Sequence, residues 1–185
     1  MATEARTYRI GPDNGRLVLH TRRAGLASVL GHDLTIEVDR WSGEITVAEN
    51  PADSTLLVTV ETGALRIIAA TGGAKPLSER DKREILQQAR KILDSDRTPT
   101  ATYASTAVAA DGASGGTVDG TFTLLGRGLG LRLKVTGSGD GRYLATGEVV
   151  QSDYGIKPYS AMFGALKLAD SVGIQAEVDL SGDAG

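Results

Sequence analysis

The sequence predicts an all-β protein: an antiparallel barrel of about eight strands with a single α-helix beside it. Three observations carry this expectation. Apolar and polar residues alternate over most of the chain, turn-forming residues separate the alternating runs, and one long stretch changes to helical spacing. Successive side chains of a strand point to opposite faces, so a period of two marks a sheet with one apolar and one wet face.

Taken in chain order, Pro12-Asp13-Asn14-Gly15 divides a first short strand from a second over residues 16–22. Leu34, Ile36 and Val38 alternate with Thr35 and Glu37, and Ser42-Gly43 follows Trp41. Asn50-Pro51-Ala52-Asp53 precedes the run Leu56, Val58, Val60. Residues 78–93 break the pattern: Ile85, Leu86, Ala89, Ile92 and Leu93 share one helical face, Ser78 is a natural N-cap, and Glu79 and Asp81 sit where the helix dipole favours acids. Beyond it, glycine-rich turns over residues 111–116 and 137–141 bracket further strands, including Leu129, Leu131, Leu133 and Val135. The last strand alternates Val172, Ile174, Ala176, Val178 and Leu180 with polar partners. Met162, Phe163 and Leu166 would share a face of a second, short helix over residues 160–168. Gly, Asn and Asp supply the positive φ that tight hairpins need.

No linker or low-complexity tract divides the 185 residues, so they read as one domain, 1–185, with its core over about 8–180. The chain has no cysteine, which excludes disulfides and thiolate metal sites. A net charge of -3 and a pI near 5.4 argue against general nucleic-acid binding. No basic segment followed by an apolar run marks a secretory signal, and the expectation from that is a cytoplasmic protein. Aromatic residues are few, 2 Phe, 1 Trp and 5 Tyr, so the inward faces are mainly aliphatic. Either a closed aliphatic core or an underfilled apolar lumen follows, and periodicity alone leaves both open.

Chemistry-bearing residues are sparse. His20 and His32 are the two histidines, too few and wrongly spaced for a metal site. His32 beside Asp33 allows an acid–base pair, hence a small hydrolase or isomerase as the alternative reading; the plainer reading is a turn histidine bonded to backbone. Ser28 near them makes no triad by sequence proximity, and no Gly-x-Ser-x-Gly elbow occurs. Gly126-Arg127-Gly128-Leu129-Gly130 lacks the Lys-Ser/Thr of a phosphate loop and reads as a hairpin turn, with Arg127 placed to meet an anionic head group. Arg80, Lys82, Arg83, Arg90 and Lys91 give the helix a basic outer side, a solvated face or a means of transient membrane contact.

Several motifs in order resemble the YceI-like lipid-binding family. Tyr8-Arg9-Ile10, then Ser28-Val29-Leu30-Gly31, then Trp41-Ser42-Gly43-Glu44-Ile45 open the series. Arg80-Asp81 follows at the helix start, and Pro99 with Tyr103, Ser105 and Thr106 matches a Pro-x-x-x-aromatic-x-Ser-Thr strand. Gly120-Thr121-Phe122-Thr123-Leu124-Leu125-Gly126 matches a hairpin, and Gln151-Ser152-Asp153-Tyr154-Gly155-Ile156 matches the family's Arg-Ser-Asp-Phe-Gly-Ile, with Gln151 in place of Arg.

The resemblance covers residues 8–180. It implies an extended lipocalin-like barrel that binds a long-chain amphiphile (a polyisoprenoid, an isoprenoid quinone or a fatty-acid derivative) for carriage, storage or sensing. It implies a binding protein rather than an enzyme, with no cofactor or metal. A barrel that binds nothing, a structural module, is the remaining alternative. Candidate lining residues are Leu34, Ile36, Trp41, Val58, Val60, Tyr103, Phe122 and Leu124, with Leu131, Leu133, Tyr154, Ile156, Met162, Phe163 and Ile174. His32 and Arg127 are the head-group candidates. The expected partner is an apolar small molecule, with homodimers allowed through edge strands.

Overall fold

A computed structural model describes residues 5–112 and 114–182. The strands are β1 (Arg6–Ile10), β2 (Gly15–Thr21), β3 (Arg23–Ala24), β4 (His32–Val38), β5 (Trp41–Val47), β6 (Thr55–Glu61) and β7 (Leu65–Gly72). Helix α1 (Glu79–Ile92) follows. Then come β8 (Thr100–Ala110), β9 (Gly115–Leu124), β10 (Arg127–Gly137), β11 (Arg142–Val150), β12 (Ser160–Ala161), β13 (Leu166–Leu168) and β14 (Ser171–Asp179).

Eleven strands form one antiparallel sheet in the order β1-β5-β6-β8-β9-β10-β11-β14-β2-β4-β7. The count exceeds the expected eight, and the Ser42-Gly43 turn signal lies inside β5, paired with Thr59 and Val58; the turn there is at Asp39-Arg40, between Val38 and Trp41. The sheet curls into a half-barrel whose edges are β1 and β7. The remaining strands make a small second sheet, β12-β13-β3.

The split between edges has a local cause. The turn Thr62-Gly63-Ala64 joins β6 to β7, yet β6 pairs with β5 and β8 while β7 pairs only with β4. The strands therefore diverge, and α1 fills the space between them. Its Ile85 and Leu86 pack on Leu34, Ile36 and Ile67, and Ile92 and Leu93 pack near Ala101, Leu124 and Ile156. The predicted cap is present as a full capping box: Ser78 Oγ accepts from Asp81 N and the Asp81 carboxylate accepts from Ser78 N at 2.8 Å. The Ser78 hydroxyl, which also donates to the Asp81 carboxylate at 2.7 Å, and after it Ser78 N hold the Asp81 carboxyl below its ordinary pKa. At the other end Thr62 is buried, its hydroxyl 3.0 Å from Ser95 Oγ and 3.1 Å from the Thr98 carbonyl, which ties the β6–β7 turn to the loop after the helix.

The second expected helix is not formed. Residues 160–168 fold as the hairpin β12–β13, with a single 3-10 turn at Met162–Gly164. Three consecutive positive φ angles, 51° at Met162, 55° at Phe163 and 87° at Gly164, carry the chain round the bend and preclude a right-handed helix there.

Candidate functional site

The curled sheet encloses a cavity of about 1130 Å³. Its lining is read directly from the alternation. In β4, Leu34, Ile36 and Val38 face inward; in β6, Leu56, Val58 and Val60; in β10, Leu131, Leu133 and Val135; in β14, Val172, Ile174, Ala176 and Val178. Ala101 and Ala110 of β8 both reach the cavity, and at ~3.3 Å per residue they lie up to roughly 30 Å apart along the strand, so the space is elongated. Solvent-exposed lining residues occur at both ends, Leu30, Tyr159 and Lys167 at one and Pro51, Ala110 and Gly112 at the other, giving a tunnel rather than a sealed void.

Two large aromatic side chains shape the wall. Trp41 is buried with Ile10, Leu17 and Val38, and its ring lies against Gly15, where a Cβ would stand 2.9 Å from the indole. Tyr103 is 5% exposed, and its hydroxyl lies 3.0 Å from the Val118 carbonyl and 3.2 Å from that of Leu131, so one phenol crosses three strands. Gly120 makes room for that crossing: a Cβ there would come within 2.4 Å of the Tyr103 ring. Burial, with the Asp119 charge adding to it, pushes the Tyr103 phenol up to about 12.

Of the fifteen candidate lining residues, twelve reach the tunnel: Leu34, Ile36, Trp41, Val58, Val60 and Tyr103, and also Phe122, Leu124, Leu131, Leu133, Ile156 and Ile174. Tyr154 is buried just behind the wall, edge-on to Phe122 with ring centroids 5.6 Å apart. Met162 and Phe163 are outside. They occupy the tip of the β12–β13 hairpin, where Phe163 is fully exposed, because their positive φ turns them away from the sheet. Each such residue costs of order 1–2 kcal/mol.

The head-group candidates separate. His32 reaches the tunnel lining, its Nε2 2.8 Å from the Lys75 carbonyl oxygen, so it is also bonded to backbone. Asp33, one residue on, points the other way and accepts from Arg23 N at 2.8 Å; the two side chains form no hydrogen bond with each other. Arg127 does not reach the tunnel. Its Nη1 donates to the Asp153 carbonyl at 3.2 Å and its guanidinium covers Gly155.

That placement explains the motif over residues 151–156. Gly155 adopts φ 78°, Ser152 N donates to Asp170 at 2.8 Å, and the Gln151 amide donates to the Ala169 carbonyl at 3.0 Å. The motif is a corner that fastens β11 to the start of β14, with Arg127 as its outer clasp.

Sequence reading missed the polar groups at the tunnel's helix end. Asp81, Glu84 and Gln88 of α1 reach the lining, as do Arg23, Gln151 and Lys167. Thr21 Oγ1 is buried in the same lining without a hydrogen-bond partner among the described residues. The helical spacing of 81, 84 and 88 was available as a signal, but those residues lie beside an apolar stripe and look like a solvated flank. Among the described residues no three His, Asp or Glu side chains gather to hold a metal.

A curled antiparallel sheet around an apolar tunnel, with a helix across the gap between its strands, defines a lipocalin-like barrel. The chain belongs to the YceI-like family, whose domain model matches residues 8–180. The family is generally one of binding proteins rather than enzymes. No curated protein matches the sequence. Among solved structures, Burkholderia cenocepacia BcnA is 14% identical with a TM-score of 0.63, covering 89% of this chain and 94% of its own. A Campylobacter jejuni YCEI protein is 18% identical with a TM-score of 0.55, covering 78% of this chain and 82% of its own. A mutant of the C. jejuni protein solved with a monobromobimane guest gives 14% identity, the same coverages and a TM-score of 0.57.

Proposed function

We propose that the protein binds one long-chain amphiphile, a polyisoprenoid, an isoprenoid quinone or a fatty-acid derivative, with its apolar chain in the tunnel and its head at the α1 end. The observation that carries this reading is the 1130 Å³ cavity walled by alternate aliphatic residues of so many strands. A packed core would leave few voids larger than a water molecule. A methylene is about the size of a water, whose share of liquid volume is ~30 Å³, so the space holds at most roughly 35–40 such groups. Transfer of that chain out of water is favourable by about 25 cal/mol per Å² of apolar surface buried. The polar groups at Thr21, Arg23, His32 and Gln151 supply a place for a head group at that end.

Mass spectrometry of an organic extract of purified protein tests the reading. A stoichiometric prenyl or acyl species, or uptake of an added isoprenoid quinone with a rise in Tm, is the expected result. Empty extracts together with no uptake would overturn it. Val58→Trp and Ala145→Phe each put bulk into the tunnel, and the one that keeps its fold is expected to lower uptake at least tenfold.

A further inference from the structure

We propose that the cap beside the helix end of the tunnel is a docking surface for an anionic lipid bilayer. The idea rests on the amphiphile-binding reading and assigns the surface from which such a ligand would enter.

The cap consists of two chain segments, residues 22–31 and 157–168, stitched together. Arg23 pairs with Leu168 and Ala24 with Lys167 in the small sheet, Ala27 N donates to the Ala165 carbonyl at 2.8 Å, and Ala169 N donates to that of Arg22 at 2.7 Å. Its inner side belongs to the tunnel through Leu30, Gly31, Leu166 and Leu168. Its outer side carries Leu26 at 99% exposure, Val29 at 72%, Met162 at 54% and Phe163 at 113%. These four large apolar side chains sit at the tips of joined loops, and two of them are held out by left-handed backbone that favours glycine or asparagine. Strain kept at an exposed Phe points to a use outside the fold.

Charge selects the occupant. The two segments contain Arg22, Arg23, Lys157 and Lys167 and no Asp or Glu, in a chain whose net charge is -3. On α1 three of the five cations are engaged, Arg80 with Glu84, Lys82 with Glu79 and Arg90 with Asp96, while Arg83 and Lys91 form no ion pair among the described residues. Lys157 and Lys167 form no ion pair among the described residues, and Arg23 has only Asp33 at 3.9 Å. On the helix Glu79, Asp81 and Glu84 alternate with the cations, whereas the cap segments carry cations alone. Apolar tips on segments that carry cations and no acids match an anionic bilayer, where the tips enter the headgroup boundary and the cations meet lipid phosphates. A second copy fits poorly, because a two-fold contact would set the same cations against each other. Contact would be peripheral: no described helix is long and apolar enough to cross a membrane.

Co-flotation with vesicles tests the proposal, comparing phosphatidylcholine alone with phosphatidylcholine plus phosphatidylglycerol. The protein is expected to float with the anionic vesicles and to be released as salt rises. Leu26→Ser with Phe163→Ser, and separately Arg22→Glu with Lys157→Glu, are each expected to weaken flotation more than tenfold while Tm and quinone uptake from detergent stay unchanged. Absence of flotation at low salt, or flotation unaffected by both pairs, would overturn docking. So would a dimer in solution that Phe163→Ser disperses, or capture of an acidic protein alone. Flotation with an empty tunnel and no quinone uptake would instead sink the amphiphile reading and leave docking standing.

Discussion

The wall of the tunnel and the cap at its end are built by opposite rules. In the wall, alternate residues face inward and are mainly aliphatic, and the hydrogen-bonded ladder fixes that direction; a slip of one residue would expose the whole apolar set. In the cap, strands of two or three residues carry too little ladder to fix anything, and side-chain direction is set by individual backbone angles at Gly25, Met162, Phe163 and Gly164. Wall residues are held by burial. Cap residues are held out despite their chemistry. The difference says which positions serve folding and which serve an encounter, and substitutions in the two regions should have opposite effects.

The largest effect is expected in the wall. Trp41→Ala removes the side chain that joins Ile10, Leu17 and Val38, and should cost about 3–5 kcal/mol in urea unfolding. Gly120→Ala is next. Its Cβ would press on the Tyr103 ring and stand 2.6 Å from the Ala104 carbonyl oxygen, a backbone atom with little freedom to yield. A loss of about 1–3 kcal/mol is expected from this overpacking. A wall that tolerated both changes would have to be far more plastic than the cap.

The same contrast explains what the sequence made legible. Alternation identified Leu34, Ile36, Val58, Val60, Leu131, Leu133 and Ile174 because a period of two is a property of the strand itself, while Trp41, Tyr103, Phe122, Leu124 and Ile156 were legible only through the motifs that resemble the family. It also continued through Leu129, and there it failed: Leu129 is 37% exposed and does not reach the lining, although its cross-strand neighbour Phe122 does. Helix α1 and its Ser78 cap were legible for the same local reason. The second helix was not, since Met162, Phe163 and Leu166 have helical spacing and only backbone angles absent from the spacing decide otherwise. Arg127 looked like an anion contact because the residue that covers it, Asp153, is distant in sequence. Half-paired sheets and tunnel ends are long-range facts, and single residues do not announce them.

A smaller test uses pH to probe the wall alone. The folded protein holds the Tyr103 proton more tightly than the unfolded chain does, because burial disfavours the phenolate. Its contribution is therefore complete below the unfolded value near pH 10 and is lost as pH rises toward about 12. Tm should fall across that interval. Tyr103→Phe should start lower by about 0.5–1.5 kcal/mol, from the lost hydrogen bond, and fall less steeply. Equal slopes for the two proteins would remove Tyr103 from the account.

The smallest expected change is in the cap, and it should carry the opposite sign. Phe163 is fully exposed at φ 55°, so replacing it removes no burial. Asparagine tolerates the left-handed region because its short amide bonds locally to backbone. Phe163→Asn should therefore leave stability unchanged or raise it by up to about 1 kcal/mol, measured by urea unfolding. The same variant should bind anionic vesicles more weakly, since the deepest apolar tip is gone. A gain in stability paired with a loss of docking is what a residue kept for an encounter shows. A destabilisation of about 2 kcal/mol or more would mean that Phe163 packs on the fold in solution, and the cap would then be a second piece of wall.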